Sequence, residues 1–144
     1  MTVKRMLAAD GSAANLLIRL LVGGVFFLEG IKKFLFPEQW GVGRFTHIGV
    51  PAPSTLAPFV GAVEIVCGFL ILVGLLARLA SIPLIIDICV AIATTKIPIL
   101  LKNGFWPMEA EARTDYSMLM GLVFLLIAGA GPLSADRRLP HSRH

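Results

Sequence analysis

This chain is short of almost everything that a soluble enzyme uses for chemistry. Charged residues make up 15% of its 144 positions, against roughly 25% in an ordinary soluble domain. The shortfall rules out a chain that holds itself in water by a charged surface. There are two cysteines, Cys67 and Cys89. They form neither a CxxC nor a zinc-ligand spacing, so a thioredoxin-type redox motif and a structural zinc site are excluded. The three histidines, His47, His141 and His144, are not spaced to hold a metal on one helix face. No GxGxxG, P-loop or CxxCH is present, which removes the covalent and motif-bound cofactors. No basic stripe is interleaved with stacking aromatics. The net charge of +4 therefore does not indicate nucleic acid, and the basic residues lie mainly at the edges of apolar runs.

What the chain has is hydrophobic length. It is 56% hydrophobic, with a mean hydropathy of +0.82. About 20 apolar residues cross the roughly 30 Å hydrocarbon core, and four segments approach that length: Ala14–Phe36, Thr55–Leu76, Leu79–Leu101 and Tyr116–Leu133. Each must be a helix, because lipid offers no partners to an open strand edge. The fold class is therefore all-α, an integral membrane four-helix bundle. Three regions follow: an N-terminal cytoplasmic segment 1–13, a four-span membrane domain 14–133 and a polar basic tail 134–144. No secretory cleavage site is evident, so the first run reads as a retained span. Between the second and third spans stand Ala77 and Arg78 alone, which makes a tight hairpin. Pro37–Ser54 and Lys102–Asp115 are expected to be connecting loops, the second one charged. Lys4, Arg5, Arg78, Arg137, Arg138 and Arg143 share one side, against Arg44, Lys102 and Arg113 on the other, with Lys32 and Lys33 at that end of the first span narrowing the difference. That bias places both termini in the cytoplasm and the protein in a bacterial-type inner (plasma) membrane.

Against this background the ionisable residues inside the apolar runs stand out. A charge at the bilayer centre costs about 2.5–3.5 kcal/mol on insertion scales. Such a group therefore faces the bundle interior, finds a partner or serves a pathway. Glu29 and Lys33 are spaced i,i+4 and are expected to pair. Glu64 has no ionisable neighbour within a turn of its own helix, so it must be wet, protonated or paired across helices. It shares a face with Gly61 and Gly68, and Gly23 and Gly30 form a matching stripe on the first span. Small residues of this kind let helices approach closely. Asp87 and Arg19 are expected deeper toward the cytoplasm. Lys96 lies about 180° around the helix from Asp87, so the two can meet only through a helix break, which Pro98 could supply. Structural readings stand beside these. Arg19, Lys32 and Lys33 can snorkel to headgroups, and Cys67 and Cys89 can be small packing residues.

The run Arg19–Pro37, RLLVGGVFFLEGIKKFLFP, resembles the opening of the DoxX family of small four-helix membrane proteins. The resemblance continues through Gly49-Val-Pro-Ala-Pro53, Gly61-Ala-Val-Glu-Ile-Val-Cys-Gly68 and Gly74-Leu-Leu-Ala-Arg78 into the span holding Asp87. It covers about Asn15 to Gly131. It implies a four-helix integral membrane protein. Name-giving members are associated with a thiosulfate:quinone oxidoreductase, and others are membrane partners of soluble redox or detoxification proteins. Thr95-Lys-Ile-Pro98 and Glu111-Ala-Arg-Thr-Asp115 stand outside the general family pattern, so thiosulfate oxidation is not carried over.

The leading expectation is a membrane subunit of a redox, quinone-linked system. Glu29, Glu64 and Asp87 would handle protons. Lys33 and Lys96 would hold an anion or a quinone oxygen, with Glu111, Arg113 and Asp115 at the mouth. The cofactor would be a non-covalently bound quinone. Partners would be membrane lipid, a soluble oxidoreductase or another membrane subunit, or a second copy of the chain. A small transporter or a non-enzymatic scaffold for a soluble partner is the alternative, since intramembrane charges also mark solute pathways. A third reading has the charges fix helix register alone.

Overall fold

The computed structural model describes residues 11–131 and 134–135, with side chains described from Ala14 onward. Most of the N-terminal segment and of the basic tail, including His141 and His144, lies outside the described residues. Within them every regular element is a helix. Helix α1 spans Gly11–Leu35, α2 Pro37–Trp40, α3 Val42–His47 and α4 Pro53–Val73. Helix α5 spans Ala77–Ala91 and runs through a π-helical turn, Ile92–Lys96, into α6, Ile97–Asn103. Helix α7 spans Phe105–Ala128.

Three helical stretches are long and apolar enough to cross a membrane: 14–35, 53–73 and 77–103. Their outward faces are apolar. Leu17, Leu28, Phe59, Val66, Phe69, Leu79 and Ile86 are all exposed, where a water-soluble protein would place polar side chains. The protein is a membrane protein by this pattern, since lipid removes the penalty that water would impose on such a surface.

The fourth expected span begins earlier and ends earlier than its sequence reading. Lys102–Asp115 is not a loop. Helix α6 stops at Gly104, whose φ of +91° is open to glycine, and α7 starts at Phe105. Pro107 lies in the first turn, where its missing N–H costs nothing. Glu109, Ala110, Glu111, Ala112 and Arg113 are all residues a helix tolerates well, Asp less so. Their polarity hid the helix from an argument based on apolar length. Helix α7 then ends at Ala128 because Gly129 takes φ +75°. Pro37–Ser54, expected to be an ordered loop, holds the two short helices α2 and α3.

Helices α1 and α4 run antiparallel in backbone contact. A Cβ on Gly23 would stand 2.9 Å from the Gly68 carbonyl oxygen, and one on Gly30 would stand 2.6 Å from that of Gly61. In return, a Cβ on Gly68 would stand 2.7 Å from the Phe27 nitrogen. The seven-residue step on both helices keeps the two contacts on one seam. Beyond this seam, Val22, Ile71, Leu84, Leu122 and Leu125 fill the end of the bundle near the α4–α5 turn and are fully buried.

Arg19 lies at that same end, and it does not snorkel. It is 3% exposed. Its Nε donates to the Ile71 carbonyl at 3.1 Å, Nη2 to Leu72 at 2.8 Å and Nη1 to Ala130 at 3.4 Å. The first two carbonyls belong to the last turn of α4, which carries the negative end of the helix dipole, and the Ile71 carbonyl also accepts from the Gly74 N–H at 3.1 Å. Arg78 Nη2 donates likewise to the Ile127 carbonyl of α7 at 3.1 Å. The C-terminal ends of α4 and α7 are thus tied down by two arginines.

The glycine seam yields a paired test. Gly30→Ala drives a methyl group into the backbone of α4 and should lower stability by about 1–3 kcal/mol. Gly24→Ala, next to Gly23 on the same helix but with nothing within 4 Å of the added carbon, should leave stability unchanged or raise it by up to about 1 kcal/mol. Thermal unfolding of both variants in detergent checks the contrast.

Candidate functional site

The other half of the bundle is hollow. A cavity of about 750 Å³ lies between α1, α4, α5, the π turn and α7, with α2 and α3 at its end. Four acids line it, Glu29, Glu64, Asp87 and Asp115, together with four cations, Lys32, Lys33, Arg44 and Lys96. Between them stand apolar walls that include Val25, Phe26, Val63 and Ile88.

The deepest pair is Lys33–Glu64. Lys33 Nζ donates to Glu64 Oε2 at 2.7 Å, with side-chain exposures of 11% and 6%. The glycine register explains the geometry. Gly30 faces Gly61, so Lys33 and Glu64 stand on opposite sides of that level, about 9 Å apart along the seam at 1.5 Å per residue. Helical side chains lean toward the N-terminus of their own helix. In an antiparallel pair the two therefore lean toward each other and meet. Lys33 consequently reaches back into the bundle and not outward to headgroups.

Glu29, expected to pair with Lys33, instead pairs with Lys32 at 2.7 Å, one residue closer along α1. The same backward lean brings Lys32 over Glu29 and leaves Lys33 for α4. Lys32 Nζ also sits 3.8 Å from the centre of the Trp40 ring, and the Arg44 guanidinium is 5.5 Å from the same ring. Trp40 is thus a platform for two cations. Among the described residues Arg44 has no carboxylate within ion-pair distance.

Asp87 joins the cluster and does not sit deeper with Arg19. Glu64 and Asp87 stand at roughly equal distances on either side of the α4–α5 turn, which places them level, and both line the cavity. One ammonium therefore faces two carboxyls.

Lys96 enters the same cavity because the helix breaks. In the π turn the Ile97 N–H donates to the Ile92 carbonyl, five residues back. The wider turn inserts about one residue and rotates the following face by about 100°. That removes the opposition between Lys96 and Asp87. Pro98 supplies the reason: its ring crowds the carbonyl of Thr94 and has no N–H to offer it. Lys96 Nζ then stands 3.3 Å from Asp115 Oδ2 on α7. That oxygen is buried and lacks a partner in good hydrogen-bond geometry, so the pair is a loose one.

The structure brings together Glu29, Lys33, Glu64, Asp87, Lys96 and Asp115. It does not bring Glu111 or Arg113 to them. Both are exposed on α7 and outside the cavity wall, because a helix points them away where a loop could have folded them over. Lys32, Trp40 and Arg44 are cavity residues that the charge-in-span argument passed over. Their signal was the aromatic between two cations just beyond the first span. Cys67 and Cys89 are free thiols. The polar groups could hold a ring with hydrogen-bonding substituents at its two ends. Among the described residues no three His, Cys, Asp or Glu side chains group closely enough to hold a metal ion.

Comparison with known proteins agrees with this frame. The DoxX family model matches residues 14–97, which include every cavity residue on α1 to α5 and the π turn. "Uncharacterized membrane protein Rv3486" of Mycobacterium tuberculosis (strain ATCC 25618 / H37Rv) is 52% identical over 141 residues, covering 94% of this chain and 86% of its own. "Putative oxidoreductase CatD" of Bacillus subtilis (strain 168) is 30% identical over 122 residues, covering 85% of this chain and 84% of its own. No solved structure matches.

Removing one partner of the deep pair should cost more than removing both. Lys33→Met leaves the Glu64 carboxyl without its cation and should destabilise by about 3–5 kcal/mol. Adding Glu64→Gln to that variant should recover at least half of the loss. Equilibrium unfolding of the two single variants and the double variant measures the coupling.

Proposed function

The chain belongs to the DoxX family of membrane proteins, and from that premise we propose that it is an integral inner-membrane subunit of a redox, quinone-linked system. The observation that carries the reading is the cavity. It pairs apolar walls with a level row of two carboxyls and an ammonium, Glu64, Asp87 and Lys33. That combination suits a flat lipophilic ring with polar ends, held by Lys33 or Lys96 at an oxygen and exchanging protons with Glu64 and Asp87. Glu29 holds Lys32 in place beside Trp40. Asp115 orients Lys96. The printed name of the Bacillus subtilis relative, an oxidoreductase, supports the reaction class.

In this reading the bundle has four spans, with α7 as the fourth. Its apolar second half, after Asp115, lies in the hydrocarbon, and its charged first half stands at the membrane surface. Both termini are cytoplasmic, so the cavity lies in the outer half of the bilayer. Glu111 and Arg113 then face outward, where a soluble oxidoreductase, another membrane subunit or a second copy of the chain can reach them. The alternative of a small transporter is less well supported. Val22, Ile71, Leu84, Leu122 and Leu125 close the inner half, so the cavity is a binding chamber and not a conduit. A scaffold role needs no such chamber.

Glu64→Gln and Asp87→Asn, each assayed in native membranes, test the proposal. Quinone-dependent turnover or quinone binding should fall at least tenfold in either variant while the protein still accumulates. Unchanged turnover and binding in both would contradict the assignment.

A further inference from the structure

The walls of the cavity are not equally covered. Most lining residues are buried or half-buried; the exposed ones are Trp40 and Thr114, singly on α2 and α7, and a run of four on α4 and α5. Phe59 is 63% exposed, Ile86 60% and Val90 52%, and Pro83 is exposed beside them. All four line the cavity and also face outward. On α5, Pro83, Ile86 and Val90 follow at steps of three and four, which is one face of the helix. A residue that is both cavity wall and outer surface marks an edge of an opening. These four lie within the stretches long and apolar enough to cross a membrane, so the opening faces hydrocarbon and not water. Asp87 stands one residue beyond Ile86 and lines the same wall.

We infer that the cavity loads sideways from the bilayer, through a slot between α4 and α5 framed by Phe59, Pro83, Ile86 and Val90, and that its ligand is a membrane-dissolved amphiphile with a polar, quinone-type head. The slot offers no polar group to an arriving water-soluble molecule. An apolar body passes it at no desolvation cost, since its surroundings stay apolar throughout. The head then meets Asp87, Glu64 and the Lys33 ammonium, so a ligand carbonyl finds a donor in Lys33 and, once reduced to a hydroxyl, an acceptor in a carboxylate. The tail of such a ligand can stay in lipid, so a cavity of about 750 Å³ need enclose the head alone. This inference rests on the small-molecule reading of the cavity given above and adds the route and the solubility class of what binds there.

The test uses the full chain in lipid nanodiscs, with Trp106→Phe so that Trp40, at the cavity end, is the sole tryptophan reporter. Decylubiquinone in the bilayer and ubiquinone-0 in the water serve as lipophilic and soluble probes, both read by quenching of Trp40. The expected result is saturable quenching by decylubiquinone. Its rate should fall at least tenfold in Ile86→Phe/Val90→Phe and rise in Ile86→Ala/Val90→Ala. Because these side chains face lipid, neither pair should disturb folding, and the two opposite shifts guard against a general defect. Ile48→Phe, at the α2–α3 end, should leave the rate unchanged. Equal rates in both slot variants, or slowing by Ile48→Phe instead, would overturn lateral entry while leaving ligand binding intact. Saturable quenching by ubiquinone-0 alone would overturn the membrane-dissolved class. No saturable quenching by either probe would overturn the binding reading and the route with it.

Discussion

The distance between α1 and α4 governs the rest of this molecule. Gly23 and Gly30 on one helix meet Gly68 and Gly61 on the other with no side chain between them. At that separation a lysine and a glutamate that lean toward each other can close a 2.7 Å bond inside the bundle. With larger residues in the seam the two helices would stand apart, and each charge would need water or a headgroup at a depth that offers neither. The register matters as much as the distance. A slip along the seam would separate Lys33 from Glu64 and leave the two carboxyls, Glu64 and Asp87, without that ammonium.

From that seam the bundle divides into two unlike halves. Toward the α4–α5 turn it is packed shut by aliphatic side chains, and Arg19 and Arg78 satisfy the carbonyls at the ends of α4 and α7. Toward α2 and α3 it opens around eight ionisable groups. A packed half gives a fixed frame, and a hollow half set in that frame can keep charged side chains in one arrangement. The loose Lys96–Asp115 contact at the π turn is the part of the ring least committed to its present partners. It is therefore the part freest to bind something else.

Much of this was legible in the sequence. The apolar runs gave three long helices nearly to the residue, the glycine stripes gave the seam, and the isolation of Glu64 on its own helix required a partner on another. What was not legible had three physical causes. The choice of Lys32 over Lys33 by Glu29 depends on where α4 places its own carboxylate, which no spacing within α1 reveals. The entry of Lys96 into the cavity that Asp87 lines depends on a change of helical pitch, for which Pro98 was a hint and not a measure. Helix α7 was missed in its first half because Glu109, Glu111 and Arg113 are polar, and hydropathy reports burial in lipid, not helix formation. Arg19 was placed correctly as structural but with the wrong partner. Snorkelling was the cheaper guess because the open carbonyls of α4 appear only once the helix end is known.

The central claim is that the charged cavity holds a lipophilic redox molecule within a larger assembly. Purification from native membranes in mild detergent, with mass spectrometry of both extracted small molecules and co-purifying proteins, tests it most directly. The account predicts a quinone-type lipid at close to one per chain, a stoichiometric oxidoreductase partner, or both, with the lipid lost in Glu64→Gln. A homogeneous preparation carrying neither would contradict it.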